Sequence, residues 1–364
     1  MPNVSGTWYG LPVPGPATGQ VIDFGIGDLP PVPAHDVGDA VELRGELLRR
    51  YVDEVCAFSY QSQQAGERLW GRHAGGAAAD RTTDYVARHF EEAGLSSIRR
   101  IEIPFTRRFH PVEWSVRVLA HGDLEESADI ELRSAVPMEV LGAVDRRGGG
   151  VAAAGPDGVT PGPARAHVTG SVVYVDDASA VSIATRDVTG KIAVMVTRPV
   201  PASFYDPPHE KIQALLAAGA TGVLAIYDLP GNLEHVGGFC PPGVPGFYLG
   251  GRDGAFLLAV IEKAAARGCL DTVRVEASVR FEDPRALTAQ GLVGWVRGTD
   301  SGDAVIVSAH SDAFYTGAND NATGVAALIG LARHYARHRP VRDLCFYLSP
   351  GHHHATGGMA ALVK

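Results

Sequence analysis

The stretch SAHSDAFYTGANDNATGVAALIGLARHY, residues 308–335, holds side chains suited to binding a divalent cation. The apolar run AVIVSA delivers His310 and Asp312 at its end, two positions apart. On a strand, residues two apart face the same way, and the C-terminal ends of strands in open α/β sheets carry ligand sites. His310 can therefore offer a ring nitrogen to a metal, with Asp312 beside it as an orienting partner. Asp320 follows eight residues later, directly before a helical pattern. An acidic residue there either caps the helix or supplies an oxygen ligand able to bridge two ions. Further on, LCFYLSPGHHHATGG ends an apolar strand in three histidines, His352, His353 and His354. A ligand pair and a solvated loop are both open readings of that run.

Several elements must position these groups. Leu43, Leu47, Leu48, Tyr51, Val55 and Phe58 recur at spacings of three and four and predict an amphipathic helix. AADRTTDYVARHFEEAGL predicts a second helix, capped at Asp80 and stopped at Gly94, and IRRIEIPF a strand after it. Between about 166 and 280, buried strands (GSVVYVDD, GKIAVMV, TGVLAIYD) alternate with helical patterns (HEKIQALLAAGA, GRDGAFLLAVIEKAAARG). From about 286, LVGWVRG, DAVIVSAHSD and RDLCFYLSPG read as strands around the helix that starts at NATG. Residues 1–45, rich in Pro and Gly, read as an irregular leader.

Composition narrows the function classes. The chain has 364 residues, 45% of them hydrophobic, enough for two domains with cores of their own. A net charge of -9 and the lack of a Lys/Arg cluster argue against a nucleic-acid or anionic-membrane partner, either of which requires a basic face. Cys56, Cys240, Cys269 and Cys345 form no CxxC pair and predict reduced core residues. Neither a signal-peptide pattern nor a membrane-length apolar run is visible, so a cytoplasmic protein is expected. Ser308 and Ser349 lack a nucleophile-elbow context, His73 and His209 read as loop residues, and Asp176 and Asp177 as turn formers.

AHSD followed by GANDNATGVAALIGLAR closely resembles metallopeptidase family 28, the co-catalytic zinc aminopeptidases and carboxypeptidases. The block with GKIAVMV, EKIQALLAAGA and TGVLAI resembles a protease-associated domain inserted into such peptidases. The resemblance implies an α/β fold with a mixed, mostly parallel sheet flanked by helices. It divides the chain into a leader at 1–45, a first peptidase part at 46–135, the insertion at 136–285 and a metal-site part at 286–364. It implies one or two Zn2+ ions and a peptide substrate. His310 would be a zinc ligand, Asp320 the bridging carboxylate and Asp312 the orienting residue. Where the family has two adjacent glutamates, a general base and a ligand, this chain has His352 in the base position and His353 in the ligand position, and the resemblance implies those roles for them. The family's later Asp and His ligands lie beyond Lys364, so the C-terminal part of the catalytic domain is expected to be missing and a sheet edge exposed. The alternative to an exopeptidase is an inactive or fragmentary homologue that binds peptides or partners.

Overall fold

A computed structural model of the protein describes residues 40–107, 110–119, 129–140, 165–197, 209–237, 239–283, 285–353, 358 and 362, and two short paired strands at 7–8 and 11–12. A single 3-10 turn, Val41–Leu43, leads into helix α1 (Gly45–Gln64). Tyr51, Val55, Cys56, Ser59 and Ser62 form its buried stripe, at the spacing expected of one helix face. Helix α2 (Ala77–Ala93) starts three residues before Asp80, with Gly76 in the capping position. Ala77 to Ala79 are strong helix formers and extend the helix backwards, leaving Asp80 in the first turn, where a negative charge still suits the helix dipole. Gly94 ends the helix as expected, in the left-handed region (φ 78°), where its N–H donates to Glu91 O and that of Leu95 to Phe90 O.

The strands make two main sheets. The first begins with β1 (Ser96–Arg107). The chain then crosses to a second sheet through β2 (Pro111–Leu119), β3 (Arg165–Tyr174), β4 (Ile192–Thr197), β5 (Gly222–Tyr227), β6 (Gly246–Leu249) and β7 (Arg274–Phe281). Its order is Ile130–Glu131, β2, β7, β3, β4, β5, β6, Val136–Pro137. Strands β3 to β6 run parallel; helices α3 (Ala180–Ala184) and α4 (His209–Ala217) link β3 to β4 and β4 to β5, and α5 (Gly251–Ala266) follows β6 and leads to β7. The first five residues of both β4 and β5 are buried, as their unbroken apolar sequences require. GFYL, which reads as a connection, is β6 because its four residues are all buried. His209 opens α4 rather than lying in a loop. One face of this sheet packs Val194, Leu224, Phe247 and Leu257, the other Met195, Ile212, Leu215 and Tyr248.

The chain returns to the first sheet with β8 (Arg285–Val296), β9 (Asp300–His310), helix α6 (Thr323–Arg337) and β10 (Arg342–Ser349). The sheet order is β9, β10, β8, β1. Helices α1, α2 and α6 cover one face, packing Tyr51, Val55, Phe90, Val325 and Ile329 against Phe346 of β10 and its neighbours. The architecture is mixed α/β with helices flanking curled sheets. Antiparallel pairs outnumber parallel ones among the described strands, because β1, β8 and β10 join antiparallel and β2, β7 and β3 form a long antiparallel run. Strand β9 pairs only on its β10 side among the described residues and leaves Val305 and Ile306 exposed at the edge. No described helix is long and apolar enough to cross a membrane.

Candidate metal centre

Register brings the two histidine motifs together. Strands β9 and β10 run parallel with His310 opposite Ser349, so the chains leaving their C-terminal ends emerge side by side. The first carries Asp312 into the loop toward Asp320, and the second reaches His352 and His353 within four residues. Asp312 is fully buried and joins the two exits: its Oδ1 accepts the backbone N–H of His352 at 2.9 Å, and its Oδ2 that of His353 at 2.8 Å. Its Oδ1 also lies 3.3 Å from His310 Nδ1, and its backbone carbonyl 3.0 Å from the same nitrogen. Asp312 thus meets Nδ1 of His310 through both its carboxylate and its backbone carbonyl, while Nε2 of His310 faces Asp320.

The loop after Asp312 is held by a residue that the motifs do not contain. Arg72, fully buried in the short strand Gly71–Arg72, donates to Ser311 O (3.1 Å), Thr316 O (2.9 Å), Gly317 O (3.0 Å) and Ser59 Oγ of α1 (2.6 Å). Burial brings its guanidinium down to about 10, against opposing pulls from Cys56, Asp312 and Asp320, so it stays charged. Gly317 takes a left-handed φ of 56°, and a side chain there would meet Ala313 Cβ at 2.2 Å. That close turn carries the chain to Asp320, which lies in the non-helical segment before α6 (φ -123°, ψ 87°) rather than capping the helix.

At the centre, His310 Nε2 is 2.9 Å from Asp320 Oδ1, and His353 Nε2 is 3.5 Å from Asp320 Oδ2. The donor atoms of these three residues lie within 4.8 Å of one another. Burial pulls the His310 imidazole down, but Asp312 and Asp320 outweigh it and raise it to about 9. His310 and His353 hold the Asp320 carboxyl far below its ordinary value. His353 Nε2 is buried with no hydrogen-bond partner among the described residues. An orphaned imidazole nitrogen, a second imidazole and a carboxylate converging on one point suit a zinc-type cation in donor set and number. The ring of His352 stacks on that of His310 at 4.5 Å and 28°, and His352 is more exposed than His310 and His353. Burial, then the neighbouring His310 and His353, lower its imidazole below the ordinary value. His354 lies outside the described residues.

Among the residues singled out from sequence, the structure brings His310, Asp312, Asp320, His352 and His353 into one centre. His73 is instead buried nearby against Phe314, its Nε2 2.6 Å from Leu69 O, and Asp177 forms a turn with the Ser179 N–H (2.9 Å). Sequence reasoning missed Arg72 and Glu139. Burial pushes the Glu139 carboxyl up to about 7 against an opposing pull from His353, which places the two in electrostatic reach. Neither residue sits in a motif. The one local signal for Arg72 is an arginine inside a short run that otherwise reads as a turn, GRHAGG.

Residues 292–351 match the family model described as peptidase family M28. That segment runs from β8 through His310, Asp312 and Asp320 to Gly351. A search of the curated proteins finds no match. Among solved structures, the chain is similar to a peptidase M28 precursor from Shewanella amazonensis, with 15% identity and a TM-score of 0.54, covering 88% of this chain and 72% of that one. It is also similar to a zinc aminopeptidase from Bacillus subtilis, with 16% identity and a TM-score of 0.50, covering 82% and 60%. An aminopeptidase from Aneurinibacillus sp. strain AM-1 aligns at 18% identity and a TM-score of 0.47, covering 83% and 64%. The chain thus spans less than two thirds of these two aminopeptidases. At such identities the likeness establishes the shared fold.

Proposed function

We propose, for a chain whose residues 292–351 carry the pattern of peptidase family M28, a zinc-dependent exopeptidase of the aminopeptidase type acting on peptides. The observation that carries this reading is the convergence of His310, Asp320 and His353 within 4.8 Å around an orphaned imidazole nitrogen. These three residues would hold the metal, with one oxygen of Asp320 toward each histidine. A bound zinc would supply Lewis-acid activation of water and of the peptide carbonyl. The protein's own residues do the rest. Asp312 fixes His310 at Nδ1 and the His352–His353 backbone through two N–H groups. His352, exposed and held below its ordinary value, is neutral near pH 7 and accepts the proton released when water attacks. The block built on the second sheet is the inserted protease-associated-like module expected at 136–285. Its parallel strands with intervening helices support that assignment, and β2 and Ile130–Glu131 extend it toward the N-terminus.

The test is hydrolysis of aminoacyl-nitroanilides and short peptides by the full chain. Chelator should abolish turnover, zinc should restore it, and Asp320→Asn should remove both activity and stoichiometric zinc. Absence of hydrolysis together with retained peptide binding would favour the binding-module reading, which the histidines at the glutamate-pair position motivate.

A further inference from the structure

We infer that Glu42, His334 and His338 form a second cation site, for a divalent transition metal of the zinc type, at the opposite end of α6 from Asp320. The three residues come from two elements. Glu42 sits on the 3-10 turn Val41–Leu43, packed on α6 and 3% exposed. His334 lies in the last turn of α6, and His338 directly follows the helix, its N–H donating to His334 O at 2.9 Å. Their donor atoms fall within 4.8 Å of one another, and the two imidazole rings stack at 4.5 Å and 27°.

The hydrogen bonding leaves two of these donors unsatisfied. Arg337 Nη1 donates to Glu42 Oε1 at 2.6 Å, which accounts for one carboxylate oxygen. Glu42 Oε2 is buried with no hydrogen-bond partner among the described residues, and so is His334 Nδ1, 3.5 Å away from it. These two buried atoms face each other within ion-pair reach but without a hydrogen bond, and a cation between them would satisfy both. Histidines four apart near one helix end put both rings on one face, the spacing by which a helix presents a pair of imidazoles to a metal. The donor set of two nitrogens and one oxygen selects zinc, nickel or copper over calcium or magnesium. His338 is exposed, which gives the ion a path in and leaves a fourth position for water.

Arg337 is compatible with this ion, since its side chain is 62% exposed and engages the other carboxylate oxygen. From Thr323 to His334 the helix axis advances roughly 16 Å, so this centre is separate from the one at His310. Its effect is structural: the ion clasps the turn before α1 to the end of α6, the helix whose start carries Asp320.

The experiment uses the full chain with the first centre silenced by His310→Gln and Asp320→Asn. The protein is stripped with chelator and titrated with zinc chloride alone, with zinc content and circular dichroism read in parallel. One equivalent of zinc should bind. Adding His334→Gln and His338→Gln should weaken that binding by about a hundredfold or more, with the helical spectrum retained. Cobalt(II) at the intact site should give visible d–d bands that the double substitution removes. No zinc binding to the silenced chain, or binding unchanged by the double substitution, overturns the proposal. If either background fails to fold, His338→Gln alone in the unaltered chain decides: it should lower zinc content by one equivalent, and unchanged content refutes the site.

Discussion

The buried carboxylate of Asp312 receives the backbone N–H of His353 at 2.8 Å, so a residue at the end of one strand positions a candidate ligand at the end of the next. The same carboxylate lies 3.3 Å from His310. Replacing it with Asn keeps the volume, removes the charge and presents an N–H to groups that are themselves donors. Asp312→Asn should therefore weaken zinc binding at the His310 centre by about 10- to 100-fold without unfolding the sheet. Competition with a chromophoric chelator measures this, and unchanged affinity would show that Asp312 plays no part in positioning.

Arg72→Met should destabilise the chain by roughly 2–4 kcal/mol, because it leaves the carbonyls of Ser311, Thr316 and Gly317 without their charged donor in a buried setting. Arg72→Lys should recover little, since an ammonium cannot reproduce the planar fork that reaches three carbonyls and Ser59. Urea unfolding at neutral pH gives both values.

His352→Gln should lower kcat by about 10²- to 10⁴-fold while KM changes little, if the imidazole takes a proton during water attack. Zinc content should stay as in the parent chain, because the ring of His352 is outside the three-donor cluster. A parallel loss of zinc would instead make His352 a ligand.

The second sheet supplies a pH-dependent stability. His235 stacks on Tyr227 at 4.7 Å and meets Tyr248 edge-on at 4.8 Å, and burial pushes its imidazole from 6.5 down to about 4. Unfolding restores the ordinary value, so as pH falls below about 6.5 the unfolded chain takes up this proton first. The contribution of the neutral ring is complete above pH 6.5 and is lost as pH falls toward 4, a change of roughly 3 kcal/mol at most. His235→Phe, which keeps an aromatic ring, should flatten the stability profile in that window. Denaturant midpoints at pH 7 and pH 4.5 test it.

Local patterns made much of this legible. The apolar run before His310, the break at Asp320 and the helix beginning at NATG have periods and punctuation that a linear reading detects, and the centre assembles from those residues. The start of α2 was misplaced because Ala77 to Ala79 extend a helix without a polar cap. GFYL has no alternation to mark it as a strand, since both its faces are buried. Arg72 and Glu139 were invisible for a different reason. What marks them is their relation to residues more than 200 positions away along the chain, hydrogen bonding to Ser311 for Arg72 and the electrostatic reach of His353 for Glu139. The Glu42, His334 and His338 cluster was likewise split across almost the whole described length.

The reach of Arg72 has a further consequence, for the coupling of distant parts of the chain. Its hydrogen bonds span 239 to 245 residues of chain to Ser311, Thr316 and Gly317, and link them to Ser59 on α1. Contacts of such separation carry the loop-closure entropy of the chain between them. The loop that carries Asp320 therefore draws its shape from α1 and Gly71–Arg72, which ties competence for metal to the docking of elements at the other end of the described chain.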